Sequence, residues 1–386
     1  MKIEKVKILF DFYEIALGKG KSIGIYDYAI EMLKSLSANP DIDIVVACNG
    51  DNLVEIQKIN NDIRINIISK AYPSLLKRLY WRLFQAIHVS KEEKVDIYYS
   101  PKGFAPGFFK RRKRPFIVLT VHDMIPFYYL ENFPNYFGHI ENVFIPNSLK
   151  LSVSVADKII TMSNYSKQMI LKYTKKSEDS QVIVVHRGLD FSVKQQDDFI
   201  SESYIFAITS NLPHKNKENL IMGYIEYFKT AKEPLRLKVC GITEKDVDID
   251  KKYSEHIDFL GFVTDERKAS LFSEALFFMF LPHIEGLGLP PYEALAYSKI
   301  SIVSDIPVFR EGLEDAVYYV DQTNPKAISD AIYTVSSSIS EISKDILIKK
   351  NYISSKFTWE KCSLQTVSIF KEILDKAKAL NDYKNK

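Results

Sequence analysis

Short runs of apolar and β-branched residues alternate with longer stretches of helical periodicity along almost the whole chain. Apolar runs of four to eight residues predict strands buried on both faces, and the stretches between them predict the helices that cover those faces. The predicted strands cover residues 5–12, 43–48, 65–69, 96–100, 116–123, 158–163 and 182–186 in the first half, and 204–210, 236–241, 257–262, 277–281, 301–305 and 317–321 in the second. We therefore expect an α/β protein built on parallel sheets.

The polar stretch 192–203, which reads SVKQQDDFISES, interrupts this alternation. A chain of 386 residues is also too long for one ordinary hydrophobic core. We predict two Rossmann-like domains, residues 1–191 and 204–386, joined by a linker at 192–203. The cleft between two such domains is the expected ligand site.

The composition is that of an ordinary soluble globular protein, with 46% hydrophobic and 26% charged residues. Cys48, Cys240 and Cys362 share no motif, which indicates reduced thiols in a reducing compartment. The first residues lack the features of a signal peptide, and the longest apolar run, 275–281, is far shorter than the about 20 residues of a membrane span. These observations predict a cytoplasmic protein.

Charge is distributed unevenly between the two halves. Residues 1–195 contain 28 Lys and Arg against 20 Asp and Glu, a net charge of +8, whereas residues 196–386 contain 24 against 29, a net charge of −5. A basic first half favours attraction to phosphates or to an anionic membrane face. The alternative is a scatter of solvated charges.

Residues 75–89 predict an amphipathic helix. Its apolar stripe comprises Leu76, Leu79, Tyr80, Leu83 and Ile87. The opposite face carries Lys77, Arg78, Trp81 and Arg82, and a Trp among basic residues is typical of a membrane interface. Together with the basic run 110–114, this face predicts docking to the inner surface of the plasma membrane, the alternative being a solvated helix and a basic loop. No nucleic-acid-binding motif accompanies these residues, so we expect no nucleic-acid partner.

The strongest chemical motif is EGLGLPPYE, residues 285–293, which follows a predicted strand and opens a predicted helix. Prolines suit the first helical turn, where backbone N–H groups have no helical partner, and glycines let the backbone approach a ligand. The free amides and the positive end of the helix dipole predict an anion site there. Glu285 and Glu293 are placed to accept hydrogen bonds from hydroxyls on either side of a bound phosphate. The alternative is a simple strand–turn–helix with a capping Glu.

These residues resemble the E-x7-E motif of family-4 glycosyltransferases. Further segments match that family in order and spacing, and they are IGIYDYAIEMLKSL (23–36), VLTVHDMIP (118–126), ADKIITMSNYSKQMI followed by VVHRGLD (184–190), LPHKN (212–216), GFVTDE (261–266), VSDIPVFRE (303–311) and the helix that starts at Trp359. The sequences around His122 and at 303–311 are similar to those of the mannosyltransferase-like branch of polysaccharide and O-antigen biosynthesis. One match would be weak evidence, but eight in register indicate the family.

The resemblance implies the GT-B fold, in which two Rossmann-like domains face each other across a cleft and the terminal helix, here 359–379, crosses back to the first domain. It also implies retention at the anomeric carbon. The implied catalytic residues are Glu285, His122 and Lys215, with Lys215 neutralising the pyrophosphate of a nucleotide sugar. The implied donor-binding residues are Glu293, Gly286, Leu287, Gly288, Leu289, His214, Gly18, Gly20, Phe262 and Val263.

The chain departs from the family pattern in two places. One is LPHIEG (281–286), where the family more often has Pro-Ser before two residues and the Glu, and the other is the donor loop. The family carries an Arg five or six residues before Lys215, where this chain has Thr209 and Ser210, and His214 replaces the Arg of Pro-Arg-Lys. One positive charge of the pyrophosphate site is therefore missing, or is supplied by Arg310 or His214.

Asp-x-Asp sequences occur at 41–43 and within 246–250, and they match the metal motif of the other main glycosyltransferase fold. Both lie in polar connections, and the rest of the chain does not fit that fold. We therefore expect no metal, and no cofactor other than the GDP- or UDP-linked donor substrate.

The sequence predicts a hexosyltransferase, with mannose preferred, that acts on a growing cell-surface glycan or a polyprenyl-linked acceptor. Two alternatives stay open. The chain could bind a nucleotide sugar or glycan without transferring it, or it could be an epimerase or hydrolase on the same fold, which would convert the donor without an acceptor.

Overall fold

The computed structural model describes residues 5–17, 23–59, 63–107, 114–174, 179–192 and 204–384. The chain forms two compact units. Unit 1 comprises Met1–Gly188 and Phe357–Lys386, and unit 2 comprises Leu189–Lys356. Unit 2 thus ends well before the C-terminus, and of the expected linker at 192–203 only Ser192 lies within the described residues.

Unit 1 is built on a parallel sheet of seven strands in the order β3-β2-β1-β4-β5-β6-β7. The strands are β1 Val6–Phe12, β2 Ile42–Asn49, β3 Arg64–Ser69, β4 Ile97–Ser100, β5 Phe116–Thr120, β6 Lys158–Thr161 and β7 Val182–Val184. The inner strands are almost completely buried, as expected for a parallel sheet covered on both faces.

The helices of unit 1 connect successive strands. They are α1 Ile23–Ser37, α2 Leu53–Ile59, α3 Leu75–Tyr80, α4 Ala86–Glu92, α5 Ile125–Asn132, α6 His139–Val155 and α7 Asn164–Thr174. A π-helical turn, Trp81–Gln85, joins α3 to α4 without a break.

Unit 2 repeats this design with six parallel strands in the order β10-β9-β8-β11-β12-β13. The strands are β8 Tyr204–Ile208, β9 Arg236–Cys240, β10 Ile257–Gly261, β11 Phe277–Phe280, β12 Ser301–Ser304 and β13 Tyr318–Val320. The helices are α8 Lys217–Thr230, α9 Lys251–Ser254, α10 Asp265–Glu274, α11 Leu289–Ala296, α12 Pro307–Leu313, α13 Pro325–Ile342 and α14 Ile346–Lys356.

The last helix, α15 Trp359–Lys384, belongs to unit 1. Its Trp359 ring lies 5.7 Å from the ring of Tyr28 on α1, and its Phe370 ring lies 5.6 Å from that of Tyr99 on β4. Aromatic pairs at these separations contribute packing beyond their buried area.

Each of the thirteen predicted strands is found, and the two parallel α/β units confirm the predicted fold class. Within each sheet the strand order reverses once, between β1 and β4 in unit 1 and between β8 and β11 in unit 2. Open α/β sheets bind ligands at the carboxyl ends of the strands where this reversal occurs. The topology therefore marks one candidate ligand-binding edge in each unit.

The helical segment 75–92 is oriented differently from the prediction. Trp81, expected on the membrane-facing side, is completely buried, and its Nε1 donates to Asp11 Oδ2 at 3.0 Å. Arg82 turns inward as well and forms a two-pronged salt bridge with Glu14. The first part of the apolar stripe instead lies in solvent, with Leu76, Tyr80 and Leu83 exposed, whereas Ile87 at its end is buried. The predicted docking face of Lys77, Arg78, Trp81 and Arg82 is therefore wrong as a single surface.

The reason for this orientation is the burial of two carboxylates at the end of β1. Asp11 and Glu14 are nearly inaccessible to water, and a buried carboxylate is costly unless it is paired or hydrogen-bonded. Trp81 and Arg82 supply the donors, so the polar side of the segment packs inward. The apolar residues on the opposite side, such as Leu76, Tyr80 and Leu83, then remain in solvent.

We predict that Arg82→Met lowers the free energy of unfolding by about 1–3 kcal/mol, because the buried Glu14 carboxylate loses its two-pronged partner and keeps only the more distant Lys102 Nζ, 3.9 Å from Glu14 Oε2. Both tryptophans of the chain, Trp81 and Trp359, lie in unit 1, so urea unfolding followed by tryptophan fluorescence reports this unit.

The double variant Glu14→Gln/Arg82→Met removes both charges and should recover most of the loss. Lys77→Met is the control, since Lys77 lies on the exposed side of the same helix and should change stability by less than about 0.5 kcal/mol. A single variant as stable as the wild type would contradict this account of the inward face.

Candidate functional site

The centre of the candidate site in unit 2 is an ion pair at the point where the strand order reverses. Lys215 follows β8 and Glu285 follows β11, and Lys215 Nζ lies 2.5 Å from Glu285 Oε1. Lys215 Nζ also lies 5.1 Å from the centre of the Phe280 ring, within the range of a cation–π contact. The sequence predicted functional roles for both residues, and the structure brings the two together.

Backbone contacts hold the two loops of this pair in place. Thr209 Oγ1 donates to the carbonyl of Lys215 at 3.0 Å. Asn216 takes a left-handed conformation with φ of 55°, and its Nδ2 donates to the carbonyls of Leu281 and Gln322 at 2.9 and 2.8 Å. Asn tolerates this region of φ better than most residues, so the loop after β8 is fixed to the loop after β11.

The glycine-rich turn before α11 is tightly packed. Gly288 has φ of +74°, and a Cβ at this position would lie 2.4 Å from an atom of the Phe309 ring. Leu289, Pro290 and Pro291 then begin α11, and its N-cap residue is Gly288, which has no side chain that could cap the helix. The helix therefore starts beside Glu285 with the positive end of its dipole, and because Pro290 and Pro291 carry no N–H group, Leu289 supplies the first amide N–H of the helix.

Glu293 lies in α11 and is paired differently from Glu285. Its Oε1 accepts from Lys268 Nζ of α10 at 3.1 Å. Burial lowers the pKa of Lys268, but Glu293 and then Asp265 more than offset that effect, so the pKa lies above its ordinary value. Lys268 was missed at the sequence level, because nothing in the spacing of α10 and α11 indicates that the two side chains meet.

His214 and Arg310 were the candidates for the missing positive charge. His214 is buried, and burial, followed by the charges of Lys215 and His283, lowers its pKa to about 3. It is therefore neutral near pH 7. Arg310 is engaged by Asp305 through two hydrogen bonds of 2.7 and 2.8 Å and stacks over the Tyr319 ring at 3.6 Å.

Two predicted donor-binding residues follow the edge strand β10. Phe262 is 93% exposed, whereas Val263 is half-buried. An aromatic ring left in solvent at the carboxyl end of a strand has a free face on which a flat ligand could stack.

In unit 1, His122 follows β5 and is half-buried. Its Nε2 lies 2.8 Å from the carbonyl of Pro101, which can only accept, so Nε2 carries the proton and Nδ1 is left as an acceptor. Burial lowers the pKa of His122 to about 4, an effect that the hydrogen bond to Pro101 partly offsets and the charge of Arg187 strengthens. His122 is therefore suited to accept a hydrogen bond rather than to supply charge.

The surroundings of His122 include two residues that sequence reasoning missed. The Tyr28 ring meets the imidazole edge-on at 4.9 Å, and the guanidinium of Arg187 lies 5.8 Å from the centre of that Tyr28 ring. Arg187 lies within the HRGLD segment that carried the family resemblance, but its approach to Tyr28 depends on the packing of α1 against the sheet.

Some predicted residues lie outside the described part of the chain, namely Gly18, Gly20 and residues 110–113 of the basic run. Within the described ranges, no group of three or more His, Cys, Asp and Glu side chains is arranged to hold a metal ion. No helix in that part of the chain is long and apolar enough to cross a membrane.

Comparison with known families identifies the chain. Residues 24–193 match the family described as Glycosyltransferase Family 4, and residues 192–347 match the family described as Glycosyl transferases group 1. The chain is a family 4 glycosyltransferase. The family predicted from the EGLGLPPYE motif and its companions is thus confirmed.

The glycosyltransferase is similar to enzymes of O-antigen assembly. It is 28% identical over 334 residues to the O-antigen chain mannosyltransferase RfbU of Salmonella typhimurium, which covers 83% of this chain and 88% of that protein. It is 25% identical over 376 residues to the O-antigen chain mannosyltransferase B of Escherichia coli, which covers 90% of this chain and 96% of that protein.

Solved structures share the architecture of this glycosyltransferase. Anabaena Alr3699/HepE in complex with UDP and glucose matches with a TM-score of 0.66 at 15% identity, over 95% of this chain and 100% of that one. The sucrose-phosphate synthase of Thermosynechococcus elongatus matches with a TM-score of 0.69 at 13% identity, over 96% and 100%. These similarities confirm the GT-B fold.

We predict that Gly288→Ala destabilises the glycosyltransferase by about 1–2 kcal/mol from its positive φ alone, with an additional cost for displacing the Phe309 ring. Circular dichroism during thermal unfolding should show the loss. Gly138→Ala is the control, because a Cβ there meets nothing within 4 Å; Gly138 is the N-cap of α6, where Ala is less favourable than Gly, so a loss of no more than about 1 kcal/mol is expected. Equal stability of the two variants would contradict the strained-turn account.

Proposed function

We propose that this glycosyltransferase moves a hexose, mannose by preference, from a nucleotide sugar to a growing cell-surface glycan or lipid-linked acceptor, with retention at the anomeric carbon. The observation that carries the proposal is the ion pair of Lys215 and Glu285 beside the N-terminus of α11. Two relatives named as O-antigen chain mannosyltransferases support the choice of sugar and acceptor class. UDP and glucose in the structure of Alr3699/HepE support a nucleotide-sugar donor.

The proposed chemistry uses unit 2 to stabilise the leaving group. The bond between the anomeric carbon and the phosphate oxygen breaks, and the electron pair leaves with that oxygen. Lys215, the positive end of the α11 dipole and the Leu289 amide stabilise the charge that develops on the pyrophosphate. The acceptor hydroxyl forms the new bond on the same face of the sugar, and the leaving phosphate takes the hydroxyl proton. No metal takes part.

Carboxylates fix the sugar and ribose in this proposal. Glu285 accepts hydrogen bonds from sugar hydroxyls, and its contact with Lys215 keeps the carboxylate oriented when the site is empty. Glu293 accepts from the ribose hydroxyls, and Lys268 holds its carboxylate. The exposed ring of Phe262 supplies a stacking surface for the base.

We predict that Glu285→Gln lowers kcat/KM for transfer by about 10- to 150-fold, the equivalent of a lost charge-assisted hydrogen bond of about 1.5–3 kcal/mol. Transfer of radiolabelled mannose from GDP-mannose to a membrane extract is the assay, run in EDTA because the proposal needs no metal. UDP-hexoses are tested in parallel.

The control for this variant is Glu226→Gln, which removes a carboxylate from an exposed pair with Lys229 on α8 and should leave kcat/KM unchanged. Normal transfer by a folded Glu285→Gln protein would remove the central claim. Sugar release that does not depend on an acceptor would favour the hydrolase alternative, and donor binding without turnover would favour the non-transferring one.

We further propose that unit 1 docks on the inner face of the plasma membrane through the outward side of α3 and its π turn. That side carries exposed apolar residues, which are Leu75, Leu76, Tyr80, Leu83 and Phe84. Lys77 lies among them, and the first half of the chain has a net charge of +8, which complements an anionic lipid surface. In this proposal the exposed apolar side chains insert into the membrane interface and positive charge assists them, and Trp81 is not part of the contact.

We predict that Leu76→Ser/Phe84→Ser reduces co-sedimentation with vesicles that contain anionic lipid, because less apolar area enters the interface. Leu347→Ser/Ile348→Ser is the matched control, since it removes two exposed apolar side chains from unit 2 and should not change binding. Unchanged binding of the first variant, or an equal loss in both, would refute this docking surface.

A further inference from the structure

The reversal of strand order in unit 1 carries its own Lys and Glu pair, which the proposed chemistry does not use. Glu14 follows β1 and Lys102 follows β4, the two strands between which the order reverses. Lys102 Nζ donates to the carbonyl of Glu14 at 2.7 Å and lies 3.9 Å from Glu14 Oε2. Unit 2 has a Lys and a Glu at the corresponding edge, where α/β sheets bind ligands, but there Lys215 follows the first of the two strands and Glu285 the second.

Two arginines add positive charge at the same edge. Arg82 forms its two-pronged salt bridge with Glu14 and lies 3.9 Å from the centre of the Phe104 ring. Arg78 is one helical turn earlier and faces inward with Arg82. Arg78 Nε is buried and, among the described residues, has no hydrogen-bond partner.

The cluster has more positive than negative charge. Three cations, Arg78, Arg82 and Lys102, lie with two carboxylates, Asp11 and Glu14, so the excess is one charge when both carboxylates are ionised. Burial raises the pKa of Asp11, although hydrogen bonds from Trp81 and Tyr98 and the backbone of Tyr13 oppose that effect. Protonation of Asp11 would increase the excess to two.

Lys102 lies in a poorly hydrated position within this cluster. Burial lowers the pKa of Lys102 to about 8; Glu14 and Asp11 act to raise it, and Arg82 and Arg78 lower it further. A cation held among other cations in a poorly hydrated place becomes more stable when an anion binds beside it. The Lys102 and Arg82 side chains retain 22% and 14% of their exposure, so an anion can reach them.

We propose that Lys102, Arg78 and Arg82 form an anion subsite that binds a phosphate or diphosphate group of the acceptor. The inference rests on the proposed function and adds a substrate class to it, namely acceptors that carry phosphate next to the sugar to be extended. Planar guanidinium groups and an ammonium group are the side chains that bind phosphate oxygens best. Glu14 orients Arg82 through their two hydrogen bonds, and its negative charge offsets the repulsion between the three cations when no anion is bound.

Trp81 provides a direct readout of this subsite. It precedes Arg82 and donates to Asp11, and Trp359→Phe leaves it as the one tryptophan of the chain. We expect inorganic pyrophosphate, added at constant ionic strength, to change Trp81 fluorescence saturably in the Trp359→Phe protein. Geranyl diphosphate is the second probe. Tighter binding of this probe indicates a lipid-linked source for the phosphate, and equal binding indicates a phosphate recognised without its lipid.

Lys102→Gln in the same background should weaken pyrophosphate binding by about tenfold or more, the equivalent of one charge-assisted hydrogen bond. Lys77→Gln removes the same charge from the exposed side of α3 and should bind like the parent.

Pyrophosphate binding should also weaken as the pH rises from 7 to 9, because Lys102 loses its proton and its positive charge over this range. Pyrophosphate loses no negative charge over the same range, so the weakening is assigned to the protein. The groups that face Lys102 are Glu14 and Asp11 at the end of β1 and Arg78 and Arg82 on the helical segment.

Absence of saturable binding, or equal binding by Lys102→Gln and its parent, would overturn the proposal. An equal loss in Lys77→Gln would show general attraction to a basic surface and overturn it as well. In transfer assays Lys102→Gln should raise the KM for acceptor and leave the KM for donor unchanged. A failure of the proposed function is seen separately, in normal transfer by Glu285→Gln, and does not affect the Trp81 titration.

Discussion

A carboxylate taken out of water must be given a cation or several donors, and both units of this glycosyltransferase are arranged around that requirement. In unit 1 it draws Arg82 inward to Glu14 and Trp81 to Asp11. In unit 2 it holds Lys215 against Glu285. The loops that carry these residues have little freedom to move without separating a buried charge from its partner.

The same topology produces both pairs. In each parallel sheet the order reverses once, and the loops after the two strands at that point diverge and leave a crevice. Unit 2 adds a glycine turn and a helix N-terminus at its crevice, which suit a phosphate that must leave. Unit 1 adds arginines and a lysine, which suit a phosphate that is only bound. The proposed division between donor chemistry and acceptor recognition follows from this difference.

Histidines contribute hydrogen bonds rather than charge in both units. Burial is the main cause of the low pKa of His122 and of His214, so neither replaces the Arg that the family carries before Lys215. Arg310 is held by Asp305. The proposed stabilisation of the leaving group therefore depends on Lys215 and on backbone amides, which makes the geometry of the turn at Gly288 important for the site.

The sequence by itself determined the thirteen strands, the repeated α/β units, the family and the turn at 285–293. Local hydrophobic periodicity indicates buried strands, and the positions of glycine and proline indicate turns, so these features need no knowledge of the tertiary structure. Tertiary structure alone decided which side of 75–92 faces inward. Helical periodicity shows that two faces differ, but not that buried Asp11 and Glu14 need the polar one. It also decided the pairing of Glu293 with Lys268 and the neutrality of His214, since both depend on which distant groups the fold brings together and how much water it excludes.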